Sequence, residues 1–438
     1  MSAARPDRLA HEDLQEAWRV LDVGERVDAF RLIAPHDAHE FFLALSSLDQ
    51  AELILAMPVG ERRLWLRLLA PDDAADLIQE AGDEHRIELL ALFDDASRRE
   101  LATLMAYEED AAGGLMSPRF ARIRPEMSVE EAIVYLRRQA NQNLETLYYG
   151  YVLDRTQRLL GVVSFRDLFQ AKGSHLVSEV MHADGLVTVP EDMDQEVVGA
   201  RMAEHDLVAL PVVDAEGVMK GIVTIDDIVD VVQEEATEDI QKIGGTEALE
   251  APYLDVGFWG MLQKRGGWLT VLFIAQLGSI TVMHIYEDRV AQVIALALFI
   301  PLIISSGGNS GTQATTLVTR AMALREVRLQ DWFRVFGREV WMGFSLGGML
   351  ALIGLARVTL WPGAEGDFGE DYLLLGATVS LSVLCVVLWG TISGSMLPFL
   401  LRRMGFDPAS ASAPLVATIV DLMGLVIYFN VAALIMGI

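Results

Sequence analysis

From about residue 258 onward the chain is a succession of apolar stretches too long for the core helices of a small soluble domain. They run at about 268–286, 290–319, 335–361, 372–401 and 408–438. About 20 apolar residues cross a bilayer at 1.5 Å rise each, so five transmembrane helices are expected. Charges fall in the gaps, apart from Arg338, Glu339 and Arg357 near the ends of the third stretch and Asp421 inside the fifth. That last stretch, PASASAPLVATIVDLMGLVIYFNVAALIMGI, holds a single side chain charged at neutral pH, Asp421. A carboxylate at that depth costs roughly 2.5–3.5 kcal/mol on insertion scales. It is therefore expected to face another helix or a wet cavity and is a functional candidate. Pro414, about two turns earlier, is expected to free a backbone carbonyl that could face a hydrated cation. The competing reading is a plain proline kink beside an aspartic acid kept neutral or bonded to a neighbouring serine.

Charge divides the chain in two. Residues 1–257 hold 51 acidic and 23 basic side chains and residues 258–438 hold 11 of each, so the whole formal charge of −28 belongs to the first part. Such a surface repels nucleic acid, which is not an expected partner, and attracts cations. Arg320, Arg325, Arg328, Arg334 and Arg338 cluster between the second and third stretches, and Arg402 and Arg403 precede the fifth; the alternate loop, PGAEGDFGEDY, has four acids and no base. By the positive-inside rule the arginine loops are cytoplasmic, which places the acidic half inside and the C-terminus outside. The opening MSAARPDRLAHEDL has no apolar core of the signal-peptide kind, which agrees with a cytoplasmic acidic half. Cys385 is the only cysteine, so no intramolecular disulfide or thiolate metal cluster can form within one chain.

Residues 1–115 read as short helices. Segments such as PHDAHEFFLALSSL, PDDAADLIQEA and DDASRRELATLM repeat an acidic or proline start followed by apolar positions at helical spacing, which suggests a small superhelix. The acidic starts are accounted for as N-caps and dipole partners, with no metal assigned to them.

Residues 116–235 contain an internal duplication. GVVSFRDL (161–168) matches GIVTIDDI (221–228), and each copy is expected to run helix, strand, strand, helix. The pair resembles cystathionine-β-synthase (CBS) repeats, a resemblance that implies an adenosine nucleotide such as ATP between the halves, held by Ser164, Asp167 and Thr224. The same residues could equally cap the helices that follow. A connecting helix and linker, 224–257, comes next. Its run TIDDIVDVVQEEATEDIQKIGG carries Asp226, Asp230, Glu234 and Glu238 at successive i,i+4 positions with Asp227, Glu235 and Asp239 beside them. Each such like-charge pair destabilises a helix by roughly 0.2–0.5 kcal/mol. The alternatives are an ordinary solvated acidic face and a divalent-ion sensor.

The second apolar stretch contains PLIISSGGNSGTQATTLVTRA, whose glycines allow close helix approach and whose Asn309, Thr312 and Gln313 are polar groups at membrane depth. This run, LPFLLRRMGFDPASASAPLVATIVDLMGL, the paired repeats ending in EEATEDI and the preceding DAAGGLMSP resemble the MgtE-type magnesium transporter family in that order along nearly the whole chain. The resemblance implies a multidomain fold: an α-helical superhelix, α/β tandem CBS repeats, and a polytopic α-helical membrane domain of five spans at 258–438, in a prokaryotic plasma membrane. It implies a homodimer with Mg²⁺ as cargo and regulator. Asp421 and Asn309 would line the pore, together with Ala417 and Gln313. Asp194, Glu196, Asp206, Asp227, Asp230, Glu235, Glu238 and Asp239 would gather cytosolic Mg²⁺. The chain departs from some members by having Ala413 where they have asparagine. Two alternatives stand beside a channel: an exchanger coupled to Na⁺ or protons on the same fold, and a nucleotide sensor with a membrane anchor.

Overall fold

The computed structural model describes residues 10–140, 144–249, 251, 253–254, 256–287, 295–360 and 371–437. It forms two compact units, Met1–Glu234 and Glu235–Ile438.

In the first unit, nine short helices from His11–Ala17 to Ala112–Leu115 follow the expected punctuation. Asp22 and Glu25 form a reciprocal capping box, Ser46 and Asp94 cap Ser47–Ala56 and Asp95–Leu104, and Pro35 and Pro71 occupy first-turn positions where a missing N–H costs nothing. Their apolar faces close around Phe42, Leu53, Ile54, Leu77 and Ile78, all buried.

The two CBS repeats each contain a short strand that was not expected. A short strand precedes the first helix, so β1 (Arg122–Ile123), β2 (Tyr149–Leu153) and β3 (Leu159–Ser164) form one sheet, and β4 (Val189–Pro190), β5 (Ala209–Val213) and β6 (Met219–Thr224) form the other. In both, the first strand pairs parallel to the second and the second antiparallel to the third. Two-residue strands carry too little alternation to be read from sequence. Phe120, Tyr151, Leu153, Met219 and Ile222 make a buried seam shared by the two repeats. The segment leading into the first repeat pairs with the second: Ala112 N–H donates to Met193 O, Gly113 N–H to Glu191 O and Ser117 N–H to Ile222 O. Gly113 is required there, because a Cβ would lie 2.5 Å from the Tyr107 ring.

Among the described residues, the second unit contains five helices long and apolar enough to cross a membrane: Phe258–Ile285, Ala295–Ala323, Trp332–Thr359, Tyr372–Arg403 and Ala413–Met436. The fourth is central and packs against the second, third and fifth. Close approach comes from glycine. A Cβ on Gly390 or Gly394 would land on the carbonyl oxygen of Gly307 or Gly311 of the second helix. Two hydrogen bonds tie the same seam, Ser310 Oγ to Thr391 Oγ1 at 2.6 Å and Thr315 Oγ1 to Gly394 O at 2.7 Å. The fifth helix begins later than the apolar stretch suggests, at Ala413 behind the N-cap Ser412, with Pro408–Ser410 forming a separate 3-10 turn. Pro414 is thus a first-turn proline and not a mid-helix one. The carbonyl expected to be freed by it does not arise, because no helical N–H was due at that position.

Candidate functional site

The fifth helix sets Asp421 about two turns in from its start, half-buried between the first and second helices. Asp421 Oδ2 accepts a 3.3 Å hydrogen bond from Gln276 Nε2 of the first helix. On the other side the second helix presents Gly308, where an added Cβ would stand 3.9 Å from both Asp421 Oδ1 and the Ala417 Cβ. Asp421, Ala417 and the second-helix glycine run therefore meet. Asn309 and Gln313, the next residues of that helix, do not point into this seam. They are exposed, in a row with Ser305 and Thr316 that follows helical spacing, and Asn309 Nδ2 reaches only Ser305 Oγ at 3.5 Å. A polar row exposed at membrane depth has no hydrogen-bond partners in hydrocarbon. Gln276 was not foreseen, although a lone amide within an apolar span was the signal for it.

At the N-terminal start of the same helix, the N-cap Ser412 accepts at 3.1 Å from Trp268 Nε1. The C-terminal end of the connecting helix Ile225–Ile243 lies here. Lys242 Nζ bridges Glu238 Oε1 at 2.6 Å and Asp407 Oδ2 at 2.7 Å, which joins the helix to the turn that opens the fifth span. Burial disfavours this ammonium, but its bonds to Asp407 and Glu238 outweigh that and hold it charged. Gly245 follows at φ 78°, and a Cβ there would sit 3.0 Å from Pro414 Cγ. The end of the acidic helix is thus seated on the start of the helix that carries Asp421.

The N-terminal half of that helix belongs to a second acidic constellation, in the first unit. Asp72, Asp73 and Asp76 of helix Pro71–Glu80 share it with Asp226, Asp227, Asp230 and Glu234. Asp72 is 5 % exposed and its Oδ1 has no hydrogen-bond partner; burial, then Glu145 and Asp227, raise its proton affinity well above the usual carboxylate range. Burial together with Asp73, Asp227, Glu109 and Glu234 pushes the Asp76 pKa up to about 8. Asp227 is pushed up to about 7 by burial and Asp226, against the hydrogen bonds from Thr224. The capping account of the acidic helix starts holds for Asp22 and Asp94 but not for Asp72, whose helix is entered through Ala70 without a side-chain cap. Sequence could not separate these roles, because a cap and a buried first-turn acid occupy adjacent positions.

The remaining expected residues are less gathered. Asp194 is exposed and caps helix Gln195–Glu204; Glu196 and Asp206 are exposed, Asp206 at φ 51°. Glu235 and Asp239 are half-buried on the connecting helix. Ser164 and Asp167 form a capping box with a 2.6 Å hydroxyl–carboxylate bond, and Thr224 Oγ1 bonds Asp227 Oδ2 at 2.9 Å and also faces Asp226. In this structure Ser164 and Asp167 cap a helix, while the Thr224 hydroxyl is spent on first-turn carboxylates of the connecting helix. Among the described residues, no three His, Cys, Asp or Glu side chains converge closely enough to hold a bare metal ion.

Comparison with known proteins accounts for each part. Residues 9–110 match the model of the MgtE intracellular N domain, 112–174 and 177–234 match CBS domains, and 300–431 match the MgtE divalent cation transporter model. The magnesium transporter MgtE of Thermus thermophilus is 41% identical over 345 residues, covering 79% of this chain and 74% of that one. The chain belongs to the MgtE family of magnesium transporters. The Enterococcus faecalis MgtE is 32% identical, over 77% of this chain and 72% of its own. A crystal structure of the cytosolic domain of the Mg²⁺ channel MgtE in complex with ATP is 40% identical, covers 51% of this chain and 91% of that one, and has a TM-score of 0.48.

Proposed function

We propose that the protein is a Mg²⁺ uptake channel that works as a homodimer and is closed by cytosolic Mg²⁺. The observation that carries the pore reading is the exposed row Ser305, Asn309, Gln313 and Thr316 on the second helix, beside the seam that holds Asp421. Thr316 Oγ1 is spent on Thr312 O at 2.9 Å and Asn309 makes only a long contact to Ser305 among the described residues, so lipid would leave the Asn309 and Gln313 amides short of partners, whereas a second copy related by a two-fold axis would turn the row into the wall of a wet passage. Two Asp421 carboxylates, one from each subunit, then attract a hydrated divalent cation, while Asn309, Gln313 and backbone oxygens accept hydrogen bonds from its water shell. The N-terminal half and the arginine loops lie in the cytoplasm and the C-terminus outside.

Gating follows from charge. Unoccupied, the carboxylates of 72, 73 and 76 repel those of 226, 227, 230 and 234. A divalent ion replaces the repulsion with attraction, and a ligand at 100 Kd contributes about 2.7 kcal/mol per site to the state that binds it. Asp194, Glu196 and Asp206 add exposed carboxylates in the first unit, and Glu235, Glu238 and Asp239 continue the acidic run along the connecting helix. The helix that carries Asp227 at one end carries Lys242 at the other, against the opening turn of the pore helix, so ordering one end biases the other. An adenosine nucleotide between the CBS repeats would have to compete with the capping box at Ser164 and with the hydrogen bonds from Thr224 to Asp227. The testing experiment is Mg²⁺ flux into liposomes containing the full-length protein. Asp421→Ala should abolish flux with dimer and fold intact, and normal flux in that variant would remove Asp421 from the pore.

A further inference from the structure

Gln276 is placed to do more than line a helix contact. It lies deep in the first span, where a primary amide is costly unless partnered. Its Nε2 donates to Asp421 Oδ2 at 3.3 Å. The two helices are in contact close by, since two residues further along Gly278 runs beside Leu422, where an added Cβ would stand 3.4 Å from Leu422 Cδ1. The nearby Thr418 hydroxyl is spent on Pro414 O at 2.9 Å and does not compete. Among the described residues, the Gln276 amide is the hydrogen-bond donor found on Asp421. It must present its NH₂, because its carbonyl would set two acceptors together. The carboxylate is thereby turned so that Oδ2 is occupied, while Oδ1 accepts no hydrogen bond among the described residues and faces the Gly308 and Ala417 seam.

We propose that Gln276 is a positioning residue that leaves Asp421 a single free oxygen per subunit, and that this setting discriminates hydrated Mg²⁺ from Ca²⁺. The proposal rests on the reading of Asp421 as the pore carboxylate. Its chemistry is that of the two ions: Ca²⁺ takes 6–8 oxygens in flexible geometry and readily accepts bidentate carboxylates, whereas Mg²⁺ demands octahedral order and retains waters. One oxygen per subunit suffices to accept a hydrogen bond from a coordinated water. Two free oxygens on a rotatable carboxylate offer Ca²⁺ the bidentate site that it favours.

The test uses full-length protein in liposomes and the variant Gln276→Met, which retains side-chain length and apolar fit but removes the donor. Mg²⁺ flux should persist, and the ratio of Mg²⁺ to Ca²⁺ flux should fall about tenfold, the effect of losing one hydrogen bond to a charged group. Thermal stability in detergent should stay near wild type. Gln276→Asn, a methylene short of Asp421, should lose discrimination in the same direction and serves if the methionine variant fails to fold. Wild-type discrimination in either folded variant overturns the proposal, as does a loss of stability with discrimination unchanged, which marks a packing role. Asp421→Asn separates the two readings: normal flux there defeats the pore assignment itself, whereas abolished flux with wild-type discrimination in Gln276→Met defeats only the role given to Gln276.

Discussion

Asp76→Asn tests the acidic constellation most directly. Asp76 is half-buried, and its pKa of about 8 stands against an ordinary value of 3.8. An acid whose folded pKa lies above its unfolded one contributes stability that is fully present below about pH 4 and is lost as pH rises through about 8. At about 1.4 kcal/mol per unit, the whole shift would correspond to about 6 kcal/mol; water reaches the half-buried side chain, which reduces the working figure to about 2 kcal/mol. Asparagine retains the size and removes the charge. Without Mg²⁺, the variant should therefore be about 2 kcal/mol more stable than wild type near pH 8.5, several degrees in Tm, with the gain vanishing near pH 4. Mg²⁺ neutralises the same repulsion, so millimolar Mg²⁺ should raise the wild-type Tm near pH 8.5 by more than that of the variant. The assay is thermal unfolding of the detergent-solubilised full-length protein across this pH range, with and without Mg²⁺. An unchanged Tm for the variant near pH 8.5 without Mg²⁺, or a wild-type pH dependence in the variant, would refute the idea that these carboxylates destabilise one another.

Gly394→Ala should place a methyl on the Gly311 carbonyl and cost at least about 1–3 kcal/mol, read as lower thermostability of the solubilised protein; wild-type stability would mean that the two helices have room to part. Flux through a channel should follow the Mg²⁺ electrochemical gradient, at roughly 4.6 kcal/mol per 100 mV for a doubly charged ion. If transport stops on removal of the Na⁺ or proton gradient at constant voltage, the exchanger reading is correct instead. Replacing Asp227, Asp230, Glu238 and Asp239 by Asn or Gln should uncouple flux from cytosolic Mg²⁺ and abolish Mg²⁺-dependent protease protection of residues 236–257. Equal cleavage of the wild type with and without Mg²⁺ would reject the gate and leave the pore untouched.

Much of the molecule is legible without coordinates because its determinants are local. Apolar length gives five spans, and the Gly-x-x-Ser/Thr-x-x-Asp ends at Ser164 and Thr224 announce helix starts that the structure contains. The lone Asp421 stands out because hydrocarbon makes a single carboxylate conspicuous. Tertiary structure decided the roles of residues whose local signature is ambiguous. Asp72 and Asp94 look alike as acids at helix starts, yet one is buried with an unpartnered oxygen while the other caps its helix. Pro414 reads as a kink until Ser412 is seen to begin the helix, and Gln276 and Asp421 are 145 positions apart until two helices bring them to 3.3 Å. Capping, span length and charge bias act over a turn or a loop, so the sequence by itself determines them. Desolvation and pairing depend on which helix faces which, and that is settled only when the apolar and glycine faces pack.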